Sequence, residues 1–125
     1  FVNSHFMHPD DLLDEDRGAA LGWEKLRARL DEYMTWMNES APSLRNLTGS
    51  ELAGAVQRYG ALTVDKEITD QEIRIHLGNF YDEAYLMVRI NDGTPGQVTG
   101  GELTNVTGNL YLLHAQESEV VIERN

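Results

Sequence analysis

The chain has 125 residues and a formal net charge of −11, with 21 acidic residues against 10 basic ones. This surplus of negative charge excludes the phosphate backbone of DNA or RNA as a partner, because nucleic-acid binding needs clustered Lys and Arg side chains. The absence of cysteine excludes disulfides and thiolate metal sites. No apolar run reaches the length of about 20 residues that a membrane helix requires, so we expect no membrane insertion.

Residues 1–11 hold the densest group of histidines and carboxylates in the sequence, namely His5, His8, Asp10 and Asp11. Residues 1–6 alternate in hydrophobicity and predict the end of a strand, which runs into a loop. Because the chain opens on Phe rather than Met, we expect it to be a piece of a longer protein.

The chemistry of this group has several interpretations. A histidine has an unperturbed pKa of about 6.5 and therefore exchanges protons near neutral pH, and a nearby Asp10 or Asp11 would raise that pKa and fix the tautomer. A hydrogen-bonded structural histidine and a zinc site built from two His and two Asp are the alternatives. The acidic run that continues to Asp16 lacks the glycine and terminal Glu of an EF-hand, which favours a solvated loop over a calcium site.

Two helices are predicted in the first half of the chain. Apolar side chains recur at helical spacing between residues 19 and 39, at Trp23, Leu26, Leu30, Tyr33, Met34 and Met37. For Trp23 we expect packing in the core. Thr48 and Glu51 have the spacing of a capping box, so a second helix is expected to begin there and to end at Gly60.

From Leu62 onward the hydrophobic pattern changes to a period of two, which is typical of strands. Four or five short strands separated by turns predict a small antiparallel sheet or sandwich over residues 62–125. We interpret His76 and His114 as structural histidines on strands. Tyr81 and Tyr85 either stack on sugar rings or pack within the sheet.

The order of these elements resembles the end of a polysaccharide deacetylase domain, which belongs to a carbohydrate-esterase family. The resemblance lies in His5-Phe6-Met7-His8-Pro9-Asp10-Asp11, in the helix with Trp23 and Leu26, and in Leu44-Arg45-Asn46-Leu47-Thr48. Residues 75–80 and 110–115 resemble the β-rich module that follows the barrel in Pel-type bacterial exopolysaccharide deacetylases. The resemblance implies an α+β fold: residues 1–61 as the terminal strand-helix elements of a (β/α) barrel, and residues 62–125 as a small antiparallel β-sandwich-like module.

The resemblance also implies a function. The family removes acetyl groups from polysaccharide with a divalent metal, for which we expect zinc. His5, with His8 as second choice, would be the general acid that protonates the leaving group, and Asp10 and Asp11 would bind substrate. The metal-binding His-x-x-x-His pair of the family does not occur in this sequence, so no metal ligand is assigned here and this piece alone is expected to be inactive.

Partners and compartment follow from the same resemblance. It implies a polysaccharide substrate, other exopolysaccharide-biosynthesis proteins as partners, and a periplasmic or extracellular location in a bacterium that forms biofilm. Two other interpretations compete with the enzyme. In one, the β-rich half is a non-catalytic module that binds carbohydrate or a partner protein; in the other, it is a structural accessory domain.

Overall fold

Within Ser4 and residues 8–125, which the computed structural model describes, the chain forms two α-helices and seven strands. The chain divides into two units, residues 1–44 and residues 45–125. The sequence-based division into 1–61 and 62–125 followed the change of hydrophobic period instead, and it stays a prediction.

The first unit contains a short 3₁₀ helix, Pro9–Leu12, and helix α1, Gly22–Ser40. The apolar spacing of the sequence predicted α1 to within a few residues. Its apolar stripe is only partly covered, since Leu26, Leu30 and Tyr33 are half-buried. Trp23 is 53% exposed, so the expectation that it packs in the core is wrong.

The second unit begins with helix α2, Gly49–Ala61, and continues as two antiparallel sheets. The strands are β1 Thr63–Ile68, β2 Glu72–Gly78, β3 Ala84–Arg89, β4 Pro95–Thr99, β5 Gly101–Thr107, β6 Leu110–Ala115 and β7 Glu119–Arg124. One sheet has the order β1-β2-β7-β4 and the other the order β3-β6-β5. Gly100 makes the tight link from β4 to β5, with a φ of +80° and no room for a Cβ beside the carbonyl of Glu119.

Both sheets contribute to one hydrophobic core. Alternate residues of β2 and β7 are buried on one side. On the other side Ala84 of β3 and alternate residues of β6 are buried, with Leu86 and Val88 of β3 partly buried against them. The core comprises Ile73, Ile75, Leu77, Ala84, Ile90, Leu113, Ala115, Val120 and Ile122. This alternation is what a sheet with one covered face requires. Strand β1 lies at the edge of its sheet, and all six of its residues are exposed.

The predicted α+β class, with two helices followed by antiparallel sheets, is confirmed. The predicted strand over residues 1–6 falls largely outside the described residues. Among the described residues no closed barrel is present, and the first strand begins only at Thr63, after both helices. Interpreting residues 1–61 as the end of a (β/α) barrel therefore has no support in the fold.

Candidate binding site around Glu83

Helix α2 is fixed at its start by the predicted capping box. The backbone N–H of Thr48 donates to Oε2 of Glu51 at 2.7 Å, and the Thr48 hydroxyl accepts from the Glu51 N–H at 3.4 Å. These hydrogen bonds lower the pKa of Glu51 below its ordinary value, because they favour the charged carboxylate. The helix that follows carries Ala55, Arg58 and Tyr59 to the side of a pocket.

The loop between β2 and β3 forms another wall of the pocket. Asn79 and Asp82 both adopt positive φ, at 57° and 67°, which costs energy for residues other than glycine. The Asn79 side chain donates to the carbonyl of Ala61 at 3.1 Å and so ties the loop to the end of α2. The Glu83 N–H donates to the Tyr81 carbonyl at 2.8 Å. This tight geometry turns Tyr81 and Glu83 toward the same pocket.

Glu83 is the centre of the charged groups in the pocket. Its Oε1 accepts from Arg58 at 2.9 Å and lies 3.6 Å from a guanidinium nitrogen of Arg45. Its Oε2 lies 3.1 Å from Nε2 of His114. The four side chains are each only 24–30% exposed. Ion pairs at this depth are less screened by water than pairs on an open surface.

Two ring contacts hold the same cluster together. Tyr85 and His114 are directly opposed in the β3–β6 pair, and their rings stack at a centroid distance of 4.3 Å. The guanidinium of Arg45 lies over the Tyr85 ring, 3.8 Å from its centroid, as a cation–π contact. Arg45, Tyr85 and His114 therefore form a continuous stack on the outer face of the three-stranded sheet.

The pocket is small, with a volume of about 90 Å³, and it is open to solvent. It lies within the unit formed by residues 45–125 and is lined by Arg45, Ala55, Arg58, Tyr59, Leu62, Asn79, Tyr81, Glu83, Ala84 and Tyr85. Tyr59 and Tyr81 line it while remaining 82% and 74% exposed. Their ring faces are therefore free to meet a ligand at the mouth of the pocket, beside its charged and amide groups.

The site residues predicted from the histidine motif, His5, His8, Asp10 and Asp11, belong to residues 1–44 and are not among the lining residues. His5 is outside the described residues. His8 and Asp10 are exposed, with their side chains 3.7 Å apart, and the His8 backbone N–H donates to Asp11 at 3.1 Å. Arg17 donates to Asp11 at 2.7 Å and is the main cause of a lowered pKa for that carboxyl. The catalytic role of His5 and His8 and the substrate-binding role of Asp10 and Asp11 stay predictions.

In the part of the chain that the structure describes, no group of three or more His, Asp or Glu side chains could hold a metal ion. The zinc expected for a whole enzyme was assigned to residues beyond this sequence and stays a prediction.

Sequence reasoning missed most of the pocket. Arg45, Arg58 and Glu83 gave no signal of a shared site, because they are far apart in the sequence. Tyr81 and Tyr85 were considered as sugar-stacking residues, and both line the pocket. His114 was interpreted as structural, and its contacts with Glu83 and Tyr85 are those of an anchored side chain.

Fold and site together define a small two-sheet β module with a helix at its start and an open pocket lined by tyrosines and charged groups. The chain belongs to the bacterial family DUF2194, described as "Uncharacterised protein conserved in bacteria", whose model matches residues 1–112. No curated protein and no solved structure matches the chain.

The family match corrects one expectation from the sequence. The resemblance to polysaccharide deacetylases is wrong, because the family that matches over residues 1–112 is DUF2194 and no deacetylase family matches. The short histidine motif and the order of elements were too unspecific to identify a family.

The described part of the chain contains no candidate membrane-spanning helix. None of its helices is long and apolar enough to span a bilayer.

Proposed function

We propose that residues 45–125 form a non-catalytic carbohydrate-binding module whose binding site is the pocket around Glu83. The observation that carries the proposal is that the exposed rings of Tyr59 and Tyr81 line the same open pocket as charged and amide side chains. These side chains are those of Arg45, Arg58, Glu83 and Asn79.

The chemistry of a sugar ring fits this arrangement. A pyranose presents C–H groups on its faces, which pack on an aromatic ring, and hydroxyls at its edge, which need hydrogen-bond partners. Tyr59 and Tyr81 offer ring faces with little rotamer freedom to lose. Arg45 and Asn79 supply donors, and Glu83 supplies acceptors, around the same space.

The surroundings hold these groups in place before a ligand arrives. The Arg58–Glu83 hydrogen bond joins α2 to the start of β3, and the Asn79–Ala61 hydrogen bond joins the β2–β3 loop to the end of α2. Preorganised side chains lose less entropy on binding, which favours affinity for a ligand as well hydrated as a sugar.

Affinity electrophoresis of the 125-residue chain through gels that contain neutral, N-acetylated or acidic soluble polysaccharides tests the proposal. We expect at least one polysaccharide to retard the wild-type chain. Tyr81→Ala should weaken that binding about 30-fold, because truncating an aromatic anchor costs about 2 kcal/mol.

Tyr81→Phe is the matched control, since it keeps the ring and should keep most of the affinity. Trp36→Ala removes an exposed ring that does not line the pocket and should leave binding unchanged. Far-UV circular dichroism of each variant checks that the fold is intact. Retardation by no polysaccharide, or equal retardation of Tyr81→Ala and wild type, would contradict the proposal.

A further inference from the structure

The charges that line the pocket do not balance. Arg45 and Arg58 carry two positive charges, and Glu83 is the only acidic residue among the lining residues. Two positive charges and one negative charge give the lining residues a formal net charge of +1, in a chain whose formal net charge is −11. A positive site that is only partly open to water, in an otherwise acidic protein, is a local exception to the charge of the whole molecule.

Of the two arginines in the pocket, Arg58 is hydrogen-bonded to Glu83 and Arg45 is not. Both carboxylate oxygens of Glu83 are engaged, Oε1 by Arg58 and Oε2 by His114. Arg45 lies 3.6 Å from Oε1, which is beyond hydrogen-bonding distance. Among the described residues, the Arg45 side chain has this ion pair and the ring of Tyr85 as partners but no hydrogen bond.

The position of Arg45 leaves guanidinium N–H groups available to donate hydrogen bonds to a ligand. Its guanidinium carbon lies 3.8 Å from the centroid of the Tyr85 ring, so the ring supports the group, while its N–H donors have no hydrogen-bond acceptor among the described residues. A guanidinium fixed in this way is a planar fork that matches the two oxygens of a carboxylate. Because the group is only 30% exposed, its attraction for an anionic partner is less screened by water than on an open surface.

We propose that the ligand is an acidic saccharide and that the carboxylate of a uronic acid residue binds Arg45. This inference rests on the proposed function and gives its substrate class. Tyr81 or Tyr59 would hold the ring face of the sugar, and the carboxylate would supply the negative charge that Glu83 leaves unmatched.

The test compares matched pairs of ligands by isothermal titration calorimetry on the 125-residue chain. Oligomers of galacturonate, glucuronate and mannuronate are each measured beside the same oligomer after its carboxyl groups have been reduced to alcohols. We expect one acidic oligomer to bind about 10- to 100-fold more tightly than its reduced form, as the loss of a charge-assisted bidentate contact predicts. Its affinity should fall as salt rises.

Variants at Arg45 locate the effect. Arg45→Gln should remove the preference for the acidic oligomer, and Arg45→Lys, which keeps the charge but loses the planar fork, should restore only part of it. Arg89→Gln is the matched control. Arg89 is an exposed arginine on β3, the strand that also carries Tyr85, and it does not line the pocket. Acetate at the same carboxylate concentration should not compete.

The outcomes separate the two proposals. Equal affinity for acidic and reduced oligomers would overturn the inference and leave the carbohydrate-binding module standing. Competition by acetate at similar concentration would also overturn it, since the site would then bind simple anions. If no oligomer and no polysaccharide binds at all, the proposed function fails and the inference fails with it.

Discussion

Tyr85 and His114 oppose each other across the β3–β6 pair with their rings 4.3 Å apart and within 4° of parallel. This stack is the base of the pocket cluster, because Tyr85 also supports the guanidinium of Arg45, and His114 also contacts Glu83. A cross-strand pair, which ordinarily only stabilises a sheet, here also orients two charged groups.

Removing the Tyr85 ring should therefore affect both stability and binding. We expect Tyr85→Ala to lower the free energy of unfolding by about 1 to 2 kcal/mol, through loss of the cross-strand stack and of the cation–π contact. Tyr85→Phe keeps both contacts and should stay close to wild type. Urea unfolding followed by circular dichroism measures the difference, and equal losses for the two variants would show that the ring itself contributes nothing.

Glu83 holds three partners together, so its charge should matter more than that of a surface carboxylate. Glu83→Gln should lower the free energy of unfolding by about 1 to 3 kcal/mol, because it leaves Arg45 and Arg58 partly buried without a counter-charge. Glu117→Gln, at an exposed carboxylate outside the cluster, is the control and should change stability little. In a double-mutant cycle, Arg58→Gln and Glu83→Gln should be non-additive; additive losses would argue against a direct ion pair.

The capping box gives a pH dependence with a defined sign. The Thr48 hydrogen bonds lower the pKa of Glu51 in the folded state below its ordinary value of 4.5. Its stabilisation is therefore fully present above about pH 4.5 and is lost as the pH falls through the lower pKa of the folded state. Glu51→Gln should be less stable than wild type at pH 7, and the gap should close in more acidic solution, where the wild-type side chain is also neutral. A gap independent of pH would exclude the charge as its cause.

The positive φ of Asp82 predicts an unusual response to substitution. Glycine adopts this conformation without steric cost, whereas a Cβ costs about 1 to 2 kcal/mol there. Asp82→Gly should therefore be at least as stable as wild type, and Asp82→Ala should be less stable than Asp82→Gly by about 1 kcal/mol. Thermal unfolding of the pair measures this difference. Equal stability of the two variants would mean that the loop relaxes to another conformation.

Local patterns predicted the elements but not the site. The alternation in Ile73, Ile75 and Leu77 predicted a strand with one buried face, and Thr48 and Glu51 predicted the start of α2, because both signals depend on residues close together in the sequence. The predicted four or five strands fell short of the seven observed, since short strands such as β4 and β5 leave little room for a hydrophobic pattern.

The pocket could not be predicted because its charged residues meet only through tertiary structure. Arg45 precedes α2, Glu83 precedes β3, and His114 is on β6. The pairing of β3 with β6 brings Tyr85 opposite His114, and only then does the preceding Glu83 reach the same imidazole. The sequence instead indicated His5 and His8 as site residues, because closely spaced histidines and carboxylates form a local motif whether or not they form a site.

Strand β1 has a consequence for the solution behaviour of the protein. An edge strand whose residues are all exposed is a ready template for pairing with a strand of another molecule, which is a route to aggregation. The three consecutive charges Asp65, Lys66 and Glu67 occupy the middle of this strand, so a second copy that paired with it would have to strip water from them. Asp65, Lys66 and Glu67, which add nothing to the core, thus oppose edge-to-edge pairing and aggregation.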